Sequence, residues 1–263
     1  MRPPFREPLT TPPFIPMSDR EIIVCRDLAD LNRRAAEYFI HLAEEVAARS
    51  ARFTVALAGG STPKSVYSLL GSTGYEERIP WHQVHLFWGD ERCMPPDHPE
   101  SNYRMVRESL LAKIKIPNEN VHRMPGEKEP GVAALEYEAM LKEFFHLSTG
   151  SLPRFDLILL GIGEDGHTAS LFPQSDAVAE VDRLVVASRA QQKDLYRLTL
   201  TLPVLNHAAD VVFLVAGESK AAIVKKLTQT KAGASLLPAA RVRPHHGRLS
   251  WLITQDAASG LEV

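Results

Sequence analysis

Three short apolar runs in this 263-residue chain each end in a glycine turn, and that repetition constrains the fold more than any other feature. Residues 53–58 run into Gly59-Gly60, residues 84–88 into Gly89, and residues 157–160 into Gly161. Runs this short and apolar read as buried strands, and glycine at their ends admits a tight turn or the close approach of another group. Segments with helical spacing lie between them. Leu28, Leu31, Ala35, Tyr38, Phe39, Leu42 and Val46 mark one long amphipathic helix. Thr62 is placed to cap a second, with Pro63 in its first turn. Residues 101–111 and 132–147 give two more, the latter with Leu135, Ala139, Phe144 and Phe145 to bury. Residues 21–25, 184–188, 196–202, 210–216 and 249–254 read as further strands, and a helix starts at Gly217-Glu218-Ser219-Lys220. Strands alternating with helices predict a layered α/β fold with a mostly parallel sheet.

Composition removes several classes of function. A net charge of -2 argues against a nucleic-acid-binding surface. No apolar run approaches the ~20 residues needed to span a bilayer. Cys25 and Cys93 are the two cysteines, and their spacing encodes neither a disulfide framework nor a zinc cluster, so a reducing cytoplasm is the expected compartment. Six prolines fall within residues 1–16, which predicts an extended, poorly packed tail ahead of one domain over 17–263; Met17 is an alternative start. The expected assembly is a monomer or a weak homo-oligomer.

In a parallel sheet the three glycine loops share one edge, where α/β proteins bind ligands. Gly59-Gly60-Ser61-Thr62 combines close backbone approach, the free amides of a helix N-terminus and two hydroxyls, as a phosphate cradle requires; a plain strand–turn–helix cap explains the same residues. It lacks the Lys-Ser/Thr pair of a Walker loop. The second loop carries Asp90, Glu91 and Arg92. Arg197, between Leu195 and Leu198 on a strand, and Lys220 at a helix start are further cations to meet an anion. The third loop delivers Asp165 and His167, and histidine is the side chain best tuned for proton transfer near neutral pH. Gly161, Gly163 and Gly166 match G-x-G-x-x-G, but the dinucleotide fingerprint needs a helix at the third glycine and an acid ending the next strand. Here His167 follows, Pro173 interrupts, and the next strand ends at Arg189. The pairs His82/His85 and His245/His246 lack the converging partners of a metal site, G-x-S-x-G is absent, and Cys93 has no partnered histidine.

Gly-Gly-Ser-Thr-Pro at 59–63, Trp-Gly-Asp-Glu-Arg at 88–92, Ser-Asn-Tyr at 101–103 and Gly-Ile-Gly-Glu-Asp-Gly-His-Thr-Ala-Ser-Leu-Phe-Pro at 161–173 together resemble the 6-phosphogluconolactonase family. Residues 197–206 and 217–221 complete a pattern running from about residue 20 to the C-terminus. The resemblance implies a Rossmann-like fold shared with the hexosamine-6-phosphate deaminases, within the glucosamine/galactosamine-6-phosphate isomerase superfamily. It implies hydrolysis of 6-phospho-D-glucono-1,5-lactone in the oxidative pentose phosphate pathway, without metal or organic cofactor. Carried over by position, Gly60, Ser61 and Thr62 hold the phosphate with Arg197 and Lys220. Arg92 and His167 line the lactone and His167 moves the proton; the chemistry of that step gives Asp165, two residues away, the part of orienting the imidazole. Gly59, Asp90, Glu91 and Gly163 complete the expected substrate-binding set.

Two rivals share these motifs. An aldose–ketose isomerising deaminase has the same cradle and Asp-Gly-His turn, but such deaminases typically carry Asn-Glu before the proline, where this chain has Leu171-Phe172-Pro173. A non-catalytic sugar-phosphate sensor would not need Asp165 and His167.

Overall fold

The computed structural model describes residues 15–17, 20–189, 195–228 and 236–261. Its main sheet contains eight strands: β1 (Ile15–Met17), β2 (Arg20–Cys25), β3 (Phe53–Leu57), β4 (Val84–Trp88), β6 (Val121–His122), β7 (Leu157–Leu160), β10 (Asp210–Val215) and β11 (Arg248–Thr254). They lie in the order β1-β2-β11-β10-β7-β3-β4-β6, all neighbours parallel except β1 and β2. Strands β3, β7 and β10 are buried along their whole length, as strands covered on both faces must be. The remaining three, β5 (Asp90–Arg92), β8 (Val185–Arg189) and β9 (Tyr196–Leu200), form a separate antiparallel sheet in the order β5-β9-β8.

Helices connect and cover the strands: α1 (Leu28–Ala47), α2 (Ser61–Leu70), α3 (Asn102–Ser109), α4 (Pro130–Phe144), α5 (Asp176–Ala179), α6 (Leu202–Leu205), α7 (Ala221–Thr228) and α8 (Pro238–Arg241). Asp27 caps α1 by accepting from the Asp30 amide at 2.8 Å, and the helix buries Leu31, Ala35, Phe39, Leu42 and Val46. Glu129 caps α4, whose first residue is Pro130. One buried carboxylate ties α4 to the small sheet: Glu138 accepts from Arg183 Nε at 3.0 Å and from the Leu184 amide at 2.9 Å.

The chain runs outward from β3 through β4 to β6, then returns to β7 and runs the other way through β10 and β11. The reversal lies between β3 and β7, and ligands bind beside such a switch point, at the carboxyl ends of the strands. The glycine turns after β3 and β7 open there.

Several expectations need correction. Residues 90–92 are not loop but strand β5. Strand 196–202 stops at Leu200 and belongs to the small sheet. Leu135 and Ala139 are exposed; α4 buries Ala133, Ala134, Tyr137 and Leu141 instead. Residues 15 and 16, assigned to the tail, pair with Ile22 and Glu21 on the sheet edge, a position where proline costs no ladder bond. The rest of the tail lies outside the described residues. Among the described residues no helix is long and apolar enough to cross a membrane.

At the far edge of the sheet His122 stacks on Phe87 at 4.4 Å and meets His85, Nε2 to Nδ1, at 3.2 Å. Burial, with the neighbouring His85, pushes the His122 imidazole down to about 4. The unfolded chain therefore binds a proton below pH ~6.5 that the folded chain refuses until about pH 4. Stability should fall as pH drops from 6.5 toward 4. His122→Phe should make that slope shallower in urea titrations across the window; parallel slopes would discount the pair.

Candidate active site

Strand β3 ends at Leu57 and the chain turns through Gly59-Gly60 into α2. Gly60 stands at the N-cap with φ of 102°, a conformation L side chains rarely adopt, and no side chain caps the helix. Thr62 is therefore not the cap: it sits inside the first turn. The amides of Ser61 and Thr62 belong to the unpaired first turn, and Pro63 has no amide to offer, so the donors at this end point out of the helix.

Strand β5 sets the second group of residues by alternation. Asp90 and Arg92, two apart, share a face, while Glu91 faces the other way. Arg92 stands directly opposite Arg197 across the β5–β9 pair, and Asp90 opposite Thr199. Asp90 Oδ2 accepts from Ser170 Oγ at 2.7 Å, and Asn102 Nδ2 donates to the Asp90 carbonyl at 2.9 Å. Arg92 donates through Nη1 to the Glu100 carbonyl. The Nε atoms of Arg92 and Arg197 are both buried without a hydrogen-bond partner among the described residues. Burial pushes the Arg197 guanidinium below its ordinary value; Asp90 opposes that shift and Arg92 adds to it.

Glu91 does not reach the pocket. Its carboxylate, 2% exposed, accepts from the amides of Arg92, Asn102 and Tyr103 at 2.7–2.8 Å and from Ser101 Oγ at 3.1 Å. It anchors the N-terminus of α3. Burial raises its pKa, and the three backbone donors oppose that rise.

The turn after β7 brings Asp165 and His167 together. Asp165 Oδ1 lies 2.6 Å from His167 Nδ1 and accepts from the His167 amide at 3.1 Å. Gly163 is required beneath the pair, because a Cβ there would stand 2.1 Å from His167 Nδ1. Thr168 Oγ1 ties the turn back to the Gly161 carbonyl at 2.9 Å. Ala169 beyond it holds φ of 47°, a left-handed conformation that costs a non-glycine residue on the order of 1 kcal/mol. Lys220 arrives from the turn after β10, with Nζ 3.9 Å from Glu164.

These residues line one pocket of about 250 Å³: Gly59, Gly60, Ser61, Thr62, Asp90, Arg92, Gly163, His167, Arg197 and Lys220 all border it. That volume lies below the roughly 300–1,000 Å³ of drug-sized ligand sites, so it suits a small metabolite. Three cations against one bordering carboxylate, Asp90, give the pocket wall a net positive charge. Asp165 stands behind His167 rather than on the wall. Sequence reasoning gave no role to Ser170, Asn102 or Phe172, although all three stand in the quoted motifs. No group of three histidine, cysteine, aspartate or glutamate residues suited to a metal exists among the described residues.

The family model for glucosamine-6-phosphate isomerases/6-phosphogluconolactonase matches residues 26–251. The chain belongs to this family. It is 37% identical over 245 residues to a 6-phosphogluconolactonase of Nostoc sp., covering 93% of this chain and 98% of that one. A 6-phosphogluconolactonase structure from Trypanosoma cruzi superposes with a TM-score of 0.80 at 28% identity, covering 95% and 99% of the two chains. A monomeric glucosamine-6-phosphate deaminase, at 21% identity, shares the fold with a TM-score of 0.76 over 91% of this chain and 99% of that one. The family and fold expected from the motifs are therefore borne out.

Replacing Glu91 by alanine strands buried amide donors at the start of α3. The loss expected is about 2–4 kcal/mol of unfolding free energy, since a buried unsatisfied donor costs ~1–3 kcal/mol and breaking a buried charged network costs more. Urea unfolding measures it; a change under ~0.5 kcal/mol would show that α3 is held by other contacts.

Proposed function

We propose that this chain hydrolyses 6-phospho-D-glucono-1,5-lactone to 6-phospho-D-gluconate, the lactone-opening step of the oxidative pentose phosphate pathway. The observation that carries the reading is His167, on the wall of a pocket bordered by Arg92, Arg197 and Lys220, with Asp165 behind it 2.6 Å from its Nδ1. Relatives that bear the lactonase name support it. The two free cysteines, one buried and one half-buried, fit a reducing compartment such as the cytoplasm. Burial pushes the Cys93 thiol up to about 11, away from nucleophilic use.

The substrate's phosphate lies against the amides of Ser61 and Thr62, with Arg197 and Lys220 supplying charge. With Nδ1 engaged by Asp165, Nε2 is the imidazole nitrogen that serves the lactone. It takes a proton from water as the water oxygen attacks C1. Arg92, or the amides of the glycine turn, stabilises the tetrahedral oxyanion. The bond from C1 to the ring oxygen then breaks, and the imidazolium returns its proton to that oxygen. The new carboxylic acid ionises into solvent. No covalent intermediate, metal or organic cofactor enters this scheme.

The test compares phosphorylated and unphosphorylated gluconolactone, with spontaneous hydrolysis subtracted. Arg197→Ala or Lys220→Ala should lower kcat/KM for the phosphorylated lactone by about 10–100-fold and leave the poor unphosphorylated substrate unchanged. His167→Asn should lower kcat on both by about 10²–10⁴-fold. Equal damage to both lactones by the cation variants would remove those residues from the phosphate site. Ammonia release from an amino-sugar phosphate, without lactone turnover, would favour the deaminase reading instead.

A further inference from the structure

Phe172 touches both halves of the pocket's chemistry. Its ring centroid lies 4.8 Å from that of His167 at an interplanar angle of 47°, and the Arg197 guanidinium carbon stands 5.5 Å from the centroid of the same ring. The residue is 8% exposed. Its own backbone is held by Ser175, whose amide and hydroxyl both donate to the Phe172 carbonyl, at 3.1 and 2.8 Å.

Each neighbour lacks something that an aromatic face supplies. The hydrogen bond to Asp165 fixes His167 at one ring atom and leaves the plane of the imidazole free to tilt about it. A ring packed against the imidazole removes that freedom. Arg197 carries a buried Nε with no hydrogen-bond partner among the described residues, and the like charge of Arg92 faces it across the strand pair. The negative face of a benzene ring attracts a guanidinium without neutralising it, so the cation is held in place and keeps its charge for a ligand. A carboxylate in the same position would hold Arg197 as firmly but compete with an incoming phosphate.

We propose that Phe172 is a positioning residue that sets the His167 imidazole and the Arg197 guanidinium relative to one another, so that proton transfer and phosphate binding act on one substrate in one pose. This deepens the lactonase reading and rests on it for its kinetic consequence.

The test uses the full chain and the variants Phe172→Leu, Phe172→Met and Phe172→Tyr, with folding checked by circular dichroism and urea midpoint. Three quantities are followed: kcat and KM on the phosphorylated lactone, the affinity for inorganic phosphate, and the ring-current shift of the His167 proton resonances. The leucine variant should lose about 10-fold in kcat and about 3–10-fold in phosphate affinity, the range of one partly desolvated cation–π contact. The His167 resonances should move toward their unstacked positions, and tyrosine should restore all three readouts. In an Arg197→Ala background the phosphate effect of Phe172→Leu should vanish, and in His167→Asn its kcat effect should vanish, as coupled groups require. A folded leucine or methionine variant with wild-type kcat and phosphate affinity would overturn the proposal. So would losses that add independently to those of Arg197→Ala and His167→Asn. If the unmodified protein shows no lactone turnover, the lactonase reading fails; the phosphate and resonance measurements still decide whether Phe172 positions the two groups.

Discussion

Arg92 and Arg197 stand directly opposite each other on one face of an antiparallel strand pair, where like charges repel by roughly 0.2–1 kcal/mol. Both are partly removed from water, so solvent relieves the repulsion only in part. What the fold supplies against it is Asp90, on the same face of β5, with Ser170 and Asn102 holding that aspartate in place. One carboxylate balances two guanidinium groups incompletely. The result is a net positive pocket whose desolvation cost is met by the folded protein rather than by the ligand, and this makes an anion the natural occupant.

The main sheet places the other half of the chemistry against that charge. Because the chain reverses direction between β3 and β7, the turns after those strands diverge and leave a crevice at their carboxyl ends. One turn contributes the free amides at the start of α2, the other the Asp165–His167 pair. The small sheet folds its cation face over the same crevice through the Ser170–Asp90 bond, which joins the histidine turn to β5 at 2.7 Å. The left-handed Ala169 sits between His167 and Ser170, so the strain in this turn lies at the point where the two sheets are tied together.

Much of this was legible in the sequence because its signals were local. Apolar runs ending in glycine marked β3, β4 and β7, and the rule that ligands gather at one sheet edge brought the turns of Gly60, Arg92 and His167 together, while Arg197 and Lys220 joined them through the family resemblance. What stayed hidden depended on long-range pairing. Asp90-Glu91-Arg92 is three polar residues with no strand signature, and it becomes a strand only by pairing with residues 197–199. Without that pairing the alternation is invisible, so Glu91 passes for a pocket residue when it faces α3. Leu135 and Ala139 misled for a related reason: α4 carries apolar residues on two faces, and only its packing on β8 and β9 decides which is buried. Phe172 reads in sequence as an aromatic before a proline, and its two contacts come from residues 5 and 25 positions away in the chain.

The central claim is that one pocket holds the phosphate at α2, Arg197 and Lys220 while presenting the lactone carbon to His167. A structure of the protein with 6-phosphogluconate bound tests this directly. The account predicts phosphate oxygens within hydrogen-bonding distance of the Ser61 and Thr62 amides and of the Arg197 and Lys220 side chains, with the new carboxylate beside His167 Nε2 at ~2.6–3.2 Å. A product lying the other way round, with its phosphate against His167 and its carboxylate in the α2 turn, would contradict it.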